Sequence, residues 1–307
     1  MTREELNEDM QKEIMREERQ AKIKKIIKII FKYTLILIVI LTAFFSYNTY
    51  VATKQIKVRE YRIKNQKIPD SFNGTKIIQF SDLHLGTTMQ IKDLNNLIKL
   101  INERKPDLVL FTGDLIDNNY KLESKEQESL IQKLKEINTT LGKYAILGDE
   151  DTEKVSTIFN QSDFIILRDE YDLIYKNNNE SILLLGLSSS LSNKQDIEKA
   201  YSYFREETHN SNIFTIFLLH EPDSIDNITS TYHSDLFLAG HSLNGSVRIP
   251  FFNYSIIKPN GSKKYYQDYY QLNDSHLYIS SGLGSKTGIR LFCRPSINFF
   301  RLTNKSA

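Results

Sequence analysis

The chain has 307 residues, with 40 Lys and Arg against 38 Asp and Glu and 40% hydrophobic residues. That length and apolar share suffice for one large domain with an accessory segment, and the near-neutral balance excludes the basic field of a nucleic-acid-binding protein. The single cysteine, Cys293, excludes an internal disulfide and a cysteine-built zinc site, whereas six histidines and many aspartates keep an imidazole and carboxylate metal site open.

Residues 1–32 are dense in Glu, Lys and Arg, and pairs such as Glu18 and Lys22 support a helix there. We read a solvated helical lead-in rather than a coiled coil. Residues 33–52 contain no charged residue. At ~1.5 Å per residue they span roughly 30 Å as a helix, the thickness of a bilayer core. A buried core helix would carry an amphipathic stripe, and a cleaved signal peptide would have a shorter leader and a small-x-small site; neither is present. The segment is therefore expected to be a retained single-pass transmembrane helix. Basic residues flank it almost equally, so the positive-inside rule sets no orientation. Residues 53–73 form a basic linker. From residue 74 to 307 short apolar runs alternate with helical stretches, which predicts a layered α/β domain. Residues 91–104 place Ile91, Leu94, Leu97, Ile98 and Ile101 on one helical face, and residues 122–138 give a second, more charged helix.

Five apolar runs in this domain stop abruptly on polar residues. Residues 76–80 lead into Ser81-Asp82-Leu83-His84, 108–111 into Thr112-Gly113-Asp114, and 144–147 into Gly148-Asp149-Glu150-Asp151. Residues 213–219 end at His220-Glu221-Pro222, and 235–239 at Gly240-His241-Ser242. Ligands of α/β sheets sit beyond the carboxyl ends of strands, and Gly113 and Gly240 suit sharp exits close to a site. Any one of these pieces is more simply a turn or a hydrogen-bonded structural histidine. Five at one structural location favour a metal site, and a shell of Asp and His suits Mn, Fe or Zn.

The order Asp-x-His, Gly-Asp, Gly-Asn-His-Asp/Glu, His, Gly-His-x-His resembles the signature of the calcineurin-like metallophosphoesterases over residues 74–303. His220-Glu221-Pro222-Asp223, Val247-Arg248-Ile249-Pro250 and Ser281-Gly282-Leu283-Gly284 are most similar to its bacterial membrane-associated branch. The resemblance implies a two-sheet α/β/β/α sandwich after one transmembrane helix. It implies that Asp82 and His84 hold a first metal, that Asp114 bridges two divalent metals, and that Asp149, His220 and His241 complete the second. A hydroxide bridging the pair would attack a phosphate ester. Arg248 is read as an exposed arginine, with a phosphate contact as the alternative.

Three positions depart from the family pattern. Asp149 stands for the Asn ligand, Glu150 for the neighbouring histidine, and Leu243 for the second histidine of the last motif. Losing general acid–base help typically costs about 10²–10⁴-fold; a Glu150 with a raised pKa would still donate to a leaving oxygen. The expectation is an active, tuned hydrolase with Glu150 and Asp114 in catalytic roles, anchored in the cell membrane with an extracytoplasmic domain. Its substrate would be an envelope-derived or lipid-linked phosphate, and its partners exclude nucleic acid. The alternative is a weakened or inactive binding module on the same fold. Tyr265, Tyr266, Tyr269 and Tyr270 are read as sheet residues with exposed hydroxyls, and Ser188-Ser189-Ser190 as a loop without a nucleophile. His209, His233 and His276 are read as surface or structural histidines, and Cys293 as a core thiol.

Overall fold

A computed structural model describes residues 3–205, 212–249, 254–286, 288 and 290–304. His209 and Pro250 lie outside the described residues. Met1–Val51 and Ala52–Ala307 form two compact units.

The first unit is the helix α1, Arg3–Tyr50. An 18-residue window within Met10–Asn48 has mean hydropathy 2.3, so the helix is long and apolar enough to cross a membrane. Its large apolar side chains, Leu37 and Ile38 among them, are exposed. Its polar side chains turn back onto the helix: Thr34 and Thr42 donate to the carbonyls of Ile30 and Ile38, and Asn48 to that of Phe44. Such bonds satisfy these three side chains within the helix itself.

The second unit runs through β1 (Lys57–Lys64), β2 (Lys76–Phe80), α2 (Leu94–Glu103), β3 (Leu108–Thr112), α3 (Ser124–Lys135), β4 (Lys143–Ile146), α4 (Glu153–Gln161) and β5 (Phe164–Ile166). It continues with β6 (Glu170–Lys176), β7 (Glu180–Gly186), α5 (Ile197–Ala200), β8 (Thr215–Leu219), α6 (Ile225–Thr229) and β9 (Leu236–Ala239). It closes with β10 (Arg248–Ile249), β11 (Tyr254–Ser255), β12 (Tyr269–Leu272), β13 (Ser275–Ile279) and β14 (Ser296–Thr303).

One six-stranded sheet has the order β1-β14-β2-β3-β4-β5 and the other β12-β13-β9-β8-β7-β6, while β10 and β11 form a separate ribbon. In the first sheet β2 to β5 are parallel, and in the second β7, β8, β9 and β13 are parallel. Alternation along each strand separates three apolar layers. Ile77, Leu108 and Leu110 face Ile216, Leu218, Leu236 and Leu238 between the sheets. Ile78, Val109 and Phe111 point the other way, onto Leu97, Ile101, Leu130 and Phe159 of α2 to α4. On the far side Phe217, Leu219 and Phe237 meet Ile225 and Ile228 of α6 and Ala200 of α5. Because both faces of each central strand are covered, these strands read as continuous apolar runs, as parallel strands do. The result is the expected α/β/β/α sandwich.

The face foreseen on α2 is the buried one, except that Ile91 lies in a preceding 3₁₀ turn and is half-buried. Two side-chain readings need correction. The hydroxyl of Tyr265 donates to Asp226 and that of Tyr270 accepts from the backbone N–H groups of Tyr266 and Gln267, so these rings pack edge-on with their polar tips engaged inside the fold. Arg248 is half-buried in β10 rather than exposed.

Candidate metal centre

Asp82 and His84 follow β2, Asp114 follows β3, Asp149 lies beyond β4, and His220 and His241 follow β8 and β9. Parallel strands put all these ends at one edge, and backbone bonds lock the exits together. The N–H of Asp82 donates to Gly113 O at 2.8 Å, that of Leu83 to Asp114 O at 2.8 Å, and that of Gly240 to His220 O at 3.1 Å. The N–H of His241 reaches both carboxylate oxygens of Asp82 at 3.1 Å, tying one sheet to the other.

The close approach needs glycine at two exits. A Cβ on Gly113 would stand 2.3 Å from His220 Nδ1 at a φ of +96°, and one on Gly240 would stand 2.7 Å from Thr112 O. Asp82, His84, Asp114 and His241 themselves have φ between 42° and 62°. Non-glycine residues are uncommon there and such conformations cluster at functional sites, where surrounding structure enforces them.

Two donor groups result, and they share Asp114. Asp114, Asp149, His220 and His241 offer atoms all within 4.8 Å of one another, and so do Asp82, His84 and Asp114. His220 Nε2 lies 3.3 Å from Asp114 Oδ2 and 3.2 Å from Asp149 Oδ1, and His241 Nδ1 lies 3.1 Å from the same Asp149 oxygen. Ligands at ~2.1 Å around a tetrahedral cation sit about 3.4 Å apart. His84 Nε2 is 3.9 Å from Asp82 Oδ1 and 3.8 Å from Asp114 Oδ2, a slightly wider cage.

The tautomers suit ligation. His220 Nδ1 is 2.6 Å from Thr112 O and His241 Nε2 is 2.6 Å from Asn260 O, so each ring donates its proton to a carbonyl and turns its other nitrogen inward. His84 Nε2 and Asp114 Oδ2 are buried without a hydrogen-bond partner. Buried polar atoms are normally satisfied, and a cation between them would supply what these atoms lack. The residues therefore fit divalent metals held by oxygen and nitrogen donors.

Electrostatics agree. Burial would raise the carboxyl of Asp114, but His220 and His84 hold it down at about 2. Asp149 is likewise carried well below the usual carboxylate range by His220 and His241 against the effect of burial. Burial would lower His220, yet Asp114 and Asp149 push it well up. Asp82, Asp114 and Asp149 gather three carboxyl groups among the histidines, a set that suits cations.

The carboxyl of Glu150 is held low: its burial acts upward, but His84 and Lys286 outweigh it. Its Oε2 is 3.3 Å from His84 Nδ1 and its Oε1 is 2.6 Å from Lys286 Nζ. Leu243, also at positive φ, is buried and offers no donor.

Three supporting residues went unassigned in the sequence. Asp151 accepts the backbone N–H groups of Asp114, Leu115 and Gly148 at 2.8 to 2.9 Å, fixing the two ligand loops. Burial raises its carboxyl to about 6, with the charge of Asp114 adding to that. Glu221, fully buried, gathers Ser189 and both the N–H and hydroxyl of Ser190, which explains that serine run. Lys286 reaches the cluster from a distant loop with no motif around it that names a role. Of the other histidines, His233 pairs with Asp235 at 3.6 Å and His276 with the hydroxyl of Tyr269, both away from the ligand groups. Cys293 is buried, as expected.

A family profile described as calcineurin-like phosphoesterase matches residues 75–271. The chain is 32% identical over 264 residues to the uncharacterized metallophosphoesterase YkuE of Bacillus subtilis, covering 84% of this chain and 89% of that protein. It is 26% identical to phosphodiesterase YaeI of Escherichia coli over 74% of this chain and 82% of that one. It is 25% identical to UDP-2,3-diacylglucosamine pyrophosphatase LpxG of Chlamydia muridarum over 76% of this chain and 86% of that one.

Proposed function

Since the chain belongs to the calcineurin-like phosphoesterase family and is thereby a hydrolase of phosphate esters, we propose that it works with two divalent cations at the strand-end cluster while anchored in a membrane by α1. The single observation that carries this is the pair of donor groups sharing Asp114. Asp82, His84 and Asp114 would hold one cation; Asp114, Asp149, His220 and His241 would hold the other. Bound there, Mn, Fe or Zn ions supply Lewis-acid neutralisation of phosphoryl oxygens and a water of lowered pKa as nucleophile.

The chain's own groups do the rest. Thr112 O and Asn260 O hold the His220 and His241 rings so that one nitrogen of each faces the cluster. Asp151 pins the backbone of Asp114. The N–H of Glu150 donates to Asp114 Oδ1 at 3.0 Å and leaves Oδ2 free for sharing. A cavity of about 220 Å³ beyond Glu150, bordered by Ile116, Tyr120, Lys121 and Lys154, accepts the leaving group.

The substrate is an envelope-derived or lipid-linked phosphate, a reading supported by the membrane-long helix and by the activity named for LpxG. The domain lies outside the cytoplasm, as the resemblance to the membrane-associated branch suggests; protease accessibility in sealed right-side-out vesicles tests that side.

The decisive experiment takes the full chain in detergent, measures bound metal, and follows hydrolysis of generic phosphomonoesters and phosphodiesters with added Mn, using Asp114→Asn as control. Metal-dependent turnover that Asp114→Asn abolishes upholds the reading. Bound metal without turnover, rescued by Glu150→His with Leu243→His, favours the binding module, for which the changed positions 149, 150 and 243 are the motivating observation.

A further inference from the structure

The two acidic departures alter the charge of the centre, and Lys286 answers them. Asp82, Asp114, Asp149 and Glu150 place four carboxylates against the four charges of two divalent cations, which leaves no net attraction for a phosphate dianion. Lys286 Nζ stands 2.6 Å from Glu150 Oε1, 3.6 Å from Asp149 Oδ2 and 3.8 Å from Asp114 Oδ2, so it restores one positive charge over the mouth of the same centre. His84, Asp117 and Glu150 also gather donor atoms as a cation site would, but an ammonium touching Glu150 already provides that charge.

Residues 281–285, which lead into Lys286, are pinned. Arg290, 1% exposed, donates to the carbonyls of Ser281 and Gly284. The N–H of Ser285 donates to Thr88 Oγ1 at 2.8 Å, next to the residue itself. A buried guanidinium is costly unless paired, and here it braces the segment leading to Lys286, the lysine that contacts the ligand cluster among the described residues. The Lys286 side chain is 36% exposed while its ammonium lies against the carboxylates.

We propose that Lys286 is the phosphate-binding residue of this centre, with Glu150 as the counter-ion that positions its ammonium until a substrate phosphoryl group replaces it. The proposal rests on the phosphoesterase reading for its substrate, and it gives Glu150 a positioning role through its 2.6 Å contact with Lys286. A lysine binds phosphate as a point charge with three rotatable donors and needs no fixed fork, which suits a site where the metals already orient the oxygens.

The test uses the full chain in detergent, loaded with Mn, and its Lys286→Ala and Lys286→Arg variants. Inorganic phosphate is titrated by calorimetry, bound metal is counted, and KM and kcat are measured on a phosphomonoester. Loss of one charge-assisted contact predicts about a tenfold to hundredfold weaker phosphate affinity in Lys286→Ala. KM should rise by a similar factor and metal content should stay unchanged, with part of the affinity returning in Lys286→Arg. Unchanged phosphate affinity overturns the proposal, and so does loss of metal in Lys286→Ala, which would make the lysine a prop for the ligand cluster. A parent protein that binds phosphate through Lys286 without hydrolysing esters sinks the hydrolase reading and leaves this assignment standing. A parent protein with bound metal and no phosphate affinity overturns the assignment.

Discussion

Asp114 is the residue on which both donor groups depend, since one carboxylate faces His84 on one side and His220 on the other. Removing a supporting partner of a metal ligand typically costs about 10–100-fold, so losing the shared ligand should cost more. Asp114→Asn is expected to lower hydrolysis by about a hundredfold or more and to reduce bound metal, read by elemental analysis beside a turnover assay. Asp151 touches no ligand atom directly and instead holds three backbone N–H groups of the ligand loops. Asp151→Ala should therefore weaken metal affinity by about 10–100-fold in a competition titration while leaving Asp114 itself present. Gly113 offers a stability test: with φ at +96° and His220 Nδ1 where a Cβ would go, Gly113→Ala should cost about 1–3 kcal/mol. A chemical denaturation midpoint indistinguishable from the parent would contradict that packing.

Elements carry the next level. The buried face of α2 seals the outer layer of the first sheet, and Leu97 is 1% exposed there. Leu97→Ala should destabilise the domain by about 2–5 kcal/mol, measurable in urea, with no change in metal stoichiometry once refolded. The helix α1 makes a different prediction. Its large apolar side chains are exposed, so the full chain should stay with the membrane fraction after alkaline carbonate washing. Replacing Leu37, Ile38 and Ile40 together by Lys should release it into the soluble fraction, because a charge in a span centre costs about 2.5–3.5 kcal/mol each.

At the scale of the whole domain, the centre joins the two sheets, since ligands from β2, β3 and the loop after β4 meet those from β8 and β9. Metal bound only by the folded state should then stabilise the domain as a unit. At about a hundred times Kd the gain is about 2.7 kcal/mol, or roughly 5–10 °C in Tm for a domain of this size. A thermal scan with and without Mn reads it, and a chelator should reverse it. Equal Tm values would indicate that the cluster holds no metal in the folded protein.

The sequence by itself determined the strand ends. An apolar run that stops on Asp-x-His, Gly-Asp or Gly-His has few readings, and short continuous apolar runs against a 3.6-residue stripe mark which segments are strands and which are helices. For the same reason a helix long and apolar enough to cross a membrane was legible, because a charge-free stretch of that length speaks through composition alone. Tertiary structure decided what depends on distance across the fold. Lys286 lies on a loop far along the chain from Glu150, and nothing local says that the two meet. That meeting bears on Glu150, whose carboxyl His84 and Lys286 together hold low against the upward push of burial. Local patterns encode which residues face the centre; the net field at the centre is a sum over side chains from separate loops, and only the folded chain performs that sum.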